Sequence, residues 1–175
     1  MNKLLSAVLA TTLIAAGTLT AQEKRKSPHE TVSATVAGKT ISISYGRPYL
    51  KGRKAVGGAL VPYGQVWRMG ADEATKLTTD TDLMIGDLKV PKGSYSLFIL
   101  AEKDKWTLIV NKTADQWGAF NYNQSQDLGR VPMRTNSSPS PAEQFTITLA
   151  EAQNMVTLHL AWENVEASVP IKVAE

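Results

Sequence analysis

Apolar and polar residues alternate along most of this chain with a period of two, the spacing of a strand that buries one face. Ile41, Ile43 and Tyr45 alternate with Ser42 and Ser44, and Gly38-Lys39 turns the chain back from an earlier strand at Thr31 to Val36. Leu83-Met84-Ile85, Gly86-Asp87 and Leu88-Lys89-Val90 read as a short hairpin, and Pro91-Lys92-Gly93 is a strong turn signal. Tyr95, Leu97 and Ile99 alternate with Ser94, Ser96 and Phe98. The polar run Glu102-Lys103-Asp104-Lys105 then closes a second hairpin into Trp106, Leu108 and Val110. Phe145, Ile147 and Leu149 repeat the pattern, followed by Val156, Leu158, Leu160 and Trp162, and by a last ribbon through Val165, Ala167, Val169, Ile171 and Val173. No sustained helical stripe follows the apolar N-terminal run. Single helical turns are expected only at Asp72 to Lys76 and Ala114 to Phe120. Short strands at such spacing predict an all-β fold, a single antiparallel β-sandwich of jelly-roll type. Pro139 and Pro141 mark an irregular connection, read as an exposed crossover loop.

One stretch breaks the pattern. Tyr45 to Thr75 reads YGRPYLKGRKAVGGALVPYGQVWRMGADEAT and carries Arg47, Lys51, Arg53, Lys54 and Arg68. A connection this long inside a small domain is functional or disordered, and its aromatic and branched residues argue for order. It is the expected ligand-binding element, with Arg47, Arg53, Tyr63, Trp67, Arg68, Asp72 and Glu73 as candidate residues.

The N-terminus sets the compartment. Lys3 precedes an uncharged run from Leu4 to Ala21, after which Gln22-Glu23-Lys24-Arg25-Lys26 is abruptly polar. This is the pattern of a secretory signal peptide, with cleavage after Ala21 or after Gly17. The expected organisation is a signal peptide at 1–21, a flexible segment at 22–30 and the sandwich at 31–175, exported to the periplasm or secreted, with no membrane span once the signal is removed. The chain has no cysteine, so burial alone must hold the domain together, without the disulfides common in small exported proteins. The formal net charge is +3 and falls by one with loss of Lys3. That is too mild to suggest nucleic acid or a membrane surface as partner.

The chemistry can be weighed group by group. Asp72 and Glu73 are neighbours, so on a strand they face opposite ways and cannot act as a pair; in a turn they converge. With Arg68 they bind a polar ligand or ion, or they form an internal ion pair or cap that anchors the loop. Arg47, Lys51 and Arg53 beside Tyr45, Tyr49 and Tyr63 suit sulfated or carboxylated sugars or phosphates, or they are a solvated loop with tyrosines packed as a lid. Trp117, Gly118, Phe120 and Tyr122 form either a sugar platform or core plugs at one end of the sandwich. Asp80, Asp82 and Asp87 have oxygen ligands that calcium accepts, but their spacing is that of a turn. Two histidines, His29 and His159, with no HExxH spacing give no metal site, and no cofactor is expected. No GxSxG or Gly-rich phosphate loop is present.

Several motifs occur in a recognisable order: SYGRP, VPYGQVWRMGADEAT, KVPKGSYSLFIL, KWTLIVNK, WGAFNY and a closing LAWENVEASVPI. From about Ser27 to Val173 the chain resembles the exported bacterial family called domain of unknown function 2911. At Asp72 the family pattern would carry Asn. The resemblance implies an all-β domain with a signal peptide and brings no activity, substrate or catalytic residue. Three classes of function stay open: a binding module for a glycan or anionic small molecule, an enzyme with a carboxylate and arginine site around Asp72, Glu73, Asp127 and Arg130, and a structural protein whose sheet edges pair. The first is the expectation carried forward, with the oligomeric state left open.

Overall fold

The computed structural model describes residues 25–174. The expected signal peptide at 1–21 lies outside the described residues. The strands are β1 (His29–Val36), β2 (Lys39–Gly46), β3 (Val66–Trp67), β4 (Thr75–Thr79), β5 (Leu83–Ile85), β6 (Leu88–Val90), β7 (Gly93–Ala101), β8 (Trp106–Asn111), β9 (Asp127–Ala152) and β10 (Met155–Val173); β3, β4 and the first part of β9 lie where the period-two pattern predicts none. β1 begins at His29, so the regular structure takes in the end of the segment expected to precede the domain.

The strands make one antiparallel sheet in the order β1-β2-β4-β7-β8-β9-β10-β5-β6, with β3 paired to β7 outside this path. The sheet is not closed into a barrel; β1 and β6 are its two edges. What folds it over is the length of β9 and β10. The first part of β9 pairs with β8 through Asp127 to Met133, whereas Arg134 to Ala152 pairs with β10. The β9–β10 ladder shifts register between Ala161 and Glu163 and again between Glu163↔Ala142 and Val165↔Ser137, which leaves residues 138–141 of β9 opposite Asn164 alone. The connection expected at Pro139 and Pro141 is therefore a multi-residue bulge inside one long strand. Proline lacks the N–H that a ladder requires, and a bulge is where a strand tolerates it.

Beyond the bulge the β9–β10 hairpin packs on the face of β1 and β2. Phe145 N donates to Pro48 O at 2.9 Å, and Tyr45 Oη receives a hydrogen bond from Ile147 N at 2.9 Å. The main core lies between these layers. Ile41, Ile43, Leu77, Leu97, Ile99 and Leu108 meet Phe145, Ile147, Val156, Leu158 and Leu160, all fully or almost fully buried. At its centre Trp67 stacks on Trp162 with ring centroids 5.6 Å apart, and Phe145 meets Trp67 edge-on at 5.0 Å.

The second face of β7 and β8 is also covered. Phe98 falls on the polar register of its strand, yet it is fully buried with Ile109 and Ala74 under Ala119 and Tyr122. The cover is the irregular segment after β8. No helical turn forms there or at Asp72 to Lys76, because Thr75 and Lys76 already belong to β4 and Glu73 bridges to Trp117. Among the described residues the only helical element is a 3-10 turn at Gln124–Gln126. None of them forms a helix long and apolar enough to cross a membrane.

Candidate functional site

In the long connection from Gly46 to Thr75, two of the basic residues, Arg47 and Arg53, are engaged in holding it. Arg47 pairs with Glu30 at 2.7 Å and donates to Phe145 O and Thr146 Oγ1 at 3.3 and 2.9 Å. Arg53 donates to the carbonyls of Leu50 and Tyr49 at 2.9 and 2.8 Å. Glu163 reaches in from β10 and accepts from Ala55 N and Val56 N at 3.1 and 2.8 Å. Trp67 is a core residue, and Arg68 is half-buried with its Nε lacking a hydrogen-bond partner. Tyr63 is exposed and packs over Gly57. Arg47, Arg53, Tyr63 and Trp67 are thus not brought to one place.

Asp72 and Glu73 are brought to one place, and the backbone does it. Gly46 ends β2 in van der Waals contact with Ala71, to whose N–H its carbonyl accepts at 3.2 Å. A Cβ on Gly46 would sit 2.9 Å from the Ala71 carbonyl carbon and closer still to its oxygen, so only glycine lets the two segments meet. The fully buried Thr75 ties the same turn shut, donating from Oγ1 to Met69 O at 2.6 Å. Asp72 then adopts the left-handed conformation with φ at 63°. Asn and Asp tolerate this region best among side-chain-bearing residues, a backbone reason for either at this position. Gly118 N donates to Asp72 O at 3.0 Å and Ala74 N to Gln116 O at 2.9 Å, fixing the turn from its other side.

The turn directs both carboxylates to the start of β1. His29 Nε2 lies 2.9 Å from Asp72 Oδ2 and 3.6 Å from Glu73 Oε2. Arg25 closes the group, with its guanidinium 2.6 and 3.0 Å from the two Glu73 oxygens and 2.9 Å from His29 Nδ1. Arg25 and His29, rather than Arg68, are therefore the partners of the carboxylates. No local spacing joins His29 to residues more than forty positions away. The only trace in the chain is a register: His29 pairs with Gly46, and Gly46 touches Ala71.

Arg25, His29 and Glu73 of this cluster line a cavity of about 400 Å³. Ser44, Tyr45, Gly46, Ala74, Lys76, Asp115, Gln116 and Trp117 line it as well. Lys76 Nζ pairs with Asp115 Oδ1 at 2.8 Å. Trp117 is 56 % exposed, and Phe120 beyond it is 81 % exposed. Neither plugs the core. Tyr122 does, meeting Phe98 edge-on at 5.1 Å.

The remaining candidates belong elsewhere. Asp127 accepts from Tyr122 Oη at 2.7 Å, from Arg130 Nε at 3.0 Å and from Asn111 Nδ2 at 3.0 Å. Burial, reinforced by the Asp127 hydrogen bond, pushes the Tyr122 phenol up to about 12. This network locks the cover over Phe98 and shares no group with Asp72 and Glu73. Asp80 and Asp82 accept from Thr40 N and Lys92 N at 3.2 and 2.9 Å, as turn residues do.

The family model described as "Protein of unknown function (DUF2911)" matches residues 27–171. No curated protein and no solved structure matches the chain.

Proposed function

The chain belongs to the DUF2911 family, and we propose that within it this protein is a binding module for a small polar ligand of carbohydrate type, held in the cavity beside Trp117. The observation that carries this reading is the composition of that cavity. A half-exposed indole shares the cavity lining with Tyr45, Gly46 and Ala74 and with polar side chains of both signs: Arg25, His29, Glu73, Lys76, Asp115 and Gln116. A sugar ring needs one flat apolar face to stack on and several fixed donors and acceptors around its edge. The balance of charge favours a neutral or weakly charged ligand over a strongly anionic one. Arg47 and Arg53, which would have favoured an anion, are bound to carbonyls and to Glu30.

Export belongs to the same proposal. The basic start and uncharged run of residues 2–21 support a signal peptide, and an exported protein meets glycans outside the cell.

The test is a thermal-shift screen of the purified chain against neutral and acidic sugars, with Trp117→Ala as control. A ligand at about 100 times its dissociation constant adds about 2.7 kcal/mol of stability. The indole is mostly in solvent, so its removal should leave the melting temperature of the free protein nearly unchanged while weakening the hit roughly tenfold, about 1.4 kcal/mol. A hit that Trp117→Ala leaves intact would remove the cavity from consideration.

A further inference from the structure

We propose that His29, Asp72 and Glu73 form a binding site for a divalent first-row transition-metal ion, with Zn²⁺ and Mn²⁺ as its natural probes. The inference goes beyond the carbohydrate reading and does not depend on it.

The argument starts from spacing. Among the described residues these three make a group whose potential ligand atoms all lie within 4.8 Å of one another. His29 Nε2 is 2.9 Å from one carboxylate oxygen and 3.6 Å from the other. Ligands bonded to one ion at about 2.0–2.2 Å stand roughly 3–3.5 Å apart at tetrahedral or octahedral angles. The set therefore needs only small side-chain rotations to close on a metal.

Charge and ligand type agree. Two carboxylates with one neutral imidazole carry two negative charges, the complement of a divalent cation. An imidazole nitrogen in the set favours zinc, copper, iron or nickel over magnesium and calcium, which prefer oxygen alone, and the two carboxylates also suit manganese. Three protein ligands leave open positions for water or for a molecule in the adjoining cavity, which His29 and Glu73 both line.

The backbone supports the ligands before any ion arrives. Two neighbouring carboxylates converge because Asp72 is in the left-handed conformation, and Gly118 N, Ala74 N and Thr75 Oγ1 hold that turn through hydrogen bonds. His29 is held by its ladder pairing with Gly46.

Arg25 is the group that a metal would displace. Its guanidinium pairs with the Glu73 oxygens and contacts the His29 ring, yet its side chain is 43 % exposed and it belongs to no strand. Ligation through Nε2 puts the imidazole proton on Nδ1, which can then no longer accept from Arg25. Metal binding and the Arg25 contacts to His29 exclude each other.

The experiment is calorimetric titration of the untagged chain, freed of metal by chelator, with Zn²⁺ and Mn²⁺. One ion per chain is expected, with affinity reduced tenfold or more in His29→Ala and in Glu73→Gln, and increased severalfold in Arg25→Ala. Circular dichroism checks that the variants fold; His29 and Arg25 are exposed, so both should. The His29 ring resonances should shift on adding Zn²⁺ to the wild-type chain, a readout that needs no variant. Trp117→Ala should bind the metal as the wild type does, which separates this site from the carbohydrate reading. Absence of saturable binding in the wild type, or an affinity unchanged by His29→Ala, overturns the proposal.

Discussion

Replacing Gly46 by alanine tests how the site is assembled. Gly46 does not have a left-handed backbone, so alanine could adopt its conformation. If conformation were all that mattered, the substitution would stabilise the domain by about 0.4–1 kcal/mol through loss of chain entropy in the unfolded state. The structure requires the opposite sign. The new methyl would lie 2.9 Å from the Ala71 carbonyl carbon and 3.2 Å from its Cα, and both are backbone atoms that no rotamer change can move aside. Forcing an extra carbon into such a contact costs about 1–3 kcal/mol. Against the entropic gain, the net expectation is a loss of about 1–2 kcal/mol. For a domain of this size each kcal/mol shifts the melting temperature by about 2–4 °C, so a fall of roughly 2–8 °C is expected by scanning calorimetry. The displaced segment carries Asp72 and Glu73, so metal and sugar affinity should fall with it. A melting temperature equal to or above wild type would refute the claim that this glycine sets the approach of the two segments.

Two further expectations concern residues that look functional in the sequence and are structural in the fold. Arg47→Ala removes the pair with Glu30 and two hydrogen bonds to β9; it should cost about 1–3 kcal/mol in urea unfolding and leave sugar affinity within twofold, whereas a selective loss of binding would restore Arg47 to the site. Tyr122 ionises near 12 in the folded protein against an ordinary value of 10.0. Its contribution to stability is therefore complete below pH 10 and lost between about 10 and 12. Tyr45 and Tyr95, both raised by burial, add their own alkaline losses in any variant that keeps them. The stability gap between wild type and Tyr122→Phe should thus narrow across that range, and a constant gap would contradict the shift.

The strands other than β3, β4 and the first part of β9 were legible because their code is local. Ile41, Ile43 and Tyr45, or Leu158, Leu160 and Trp162, announce a buried face within a few residues. Phe98 was not legible as core, since its burial depends on Tyr122 and Ala119 arriving from a segment that has no periodicity. The prolines at 139 and 141 announce an interruption but not its kind, because whether a ladder resumes beyond them is decided by β10. The site divides in the same way. Asp72 and Glu73 can be suspected from the break in pattern around them. His29 and Arg25 cannot, since only the pairing of β1 with β2 and the contact of Gly46 with Ala71 bring them near. The ties of the basic cluster are hidden for a related reason: nearby carbonyls accept from Arg53, and a sequence does not record where carbonyls point.

The turn that carries Asp72 and Glu73 has a kinetic consequence. Its hydrogen bonds to Gly46, Met69, Gln116 and Gly118 are in place without a ligand. An incoming molecule then meets a preformed wall and need not order it, so little conformational entropy is lost on association. For sugars entering the cavity this turn should impose no gate, with similar association rates for different sugars, whereas a metal ion must first displace Arg25. Discrimination among the sugars should appear in how long each stays.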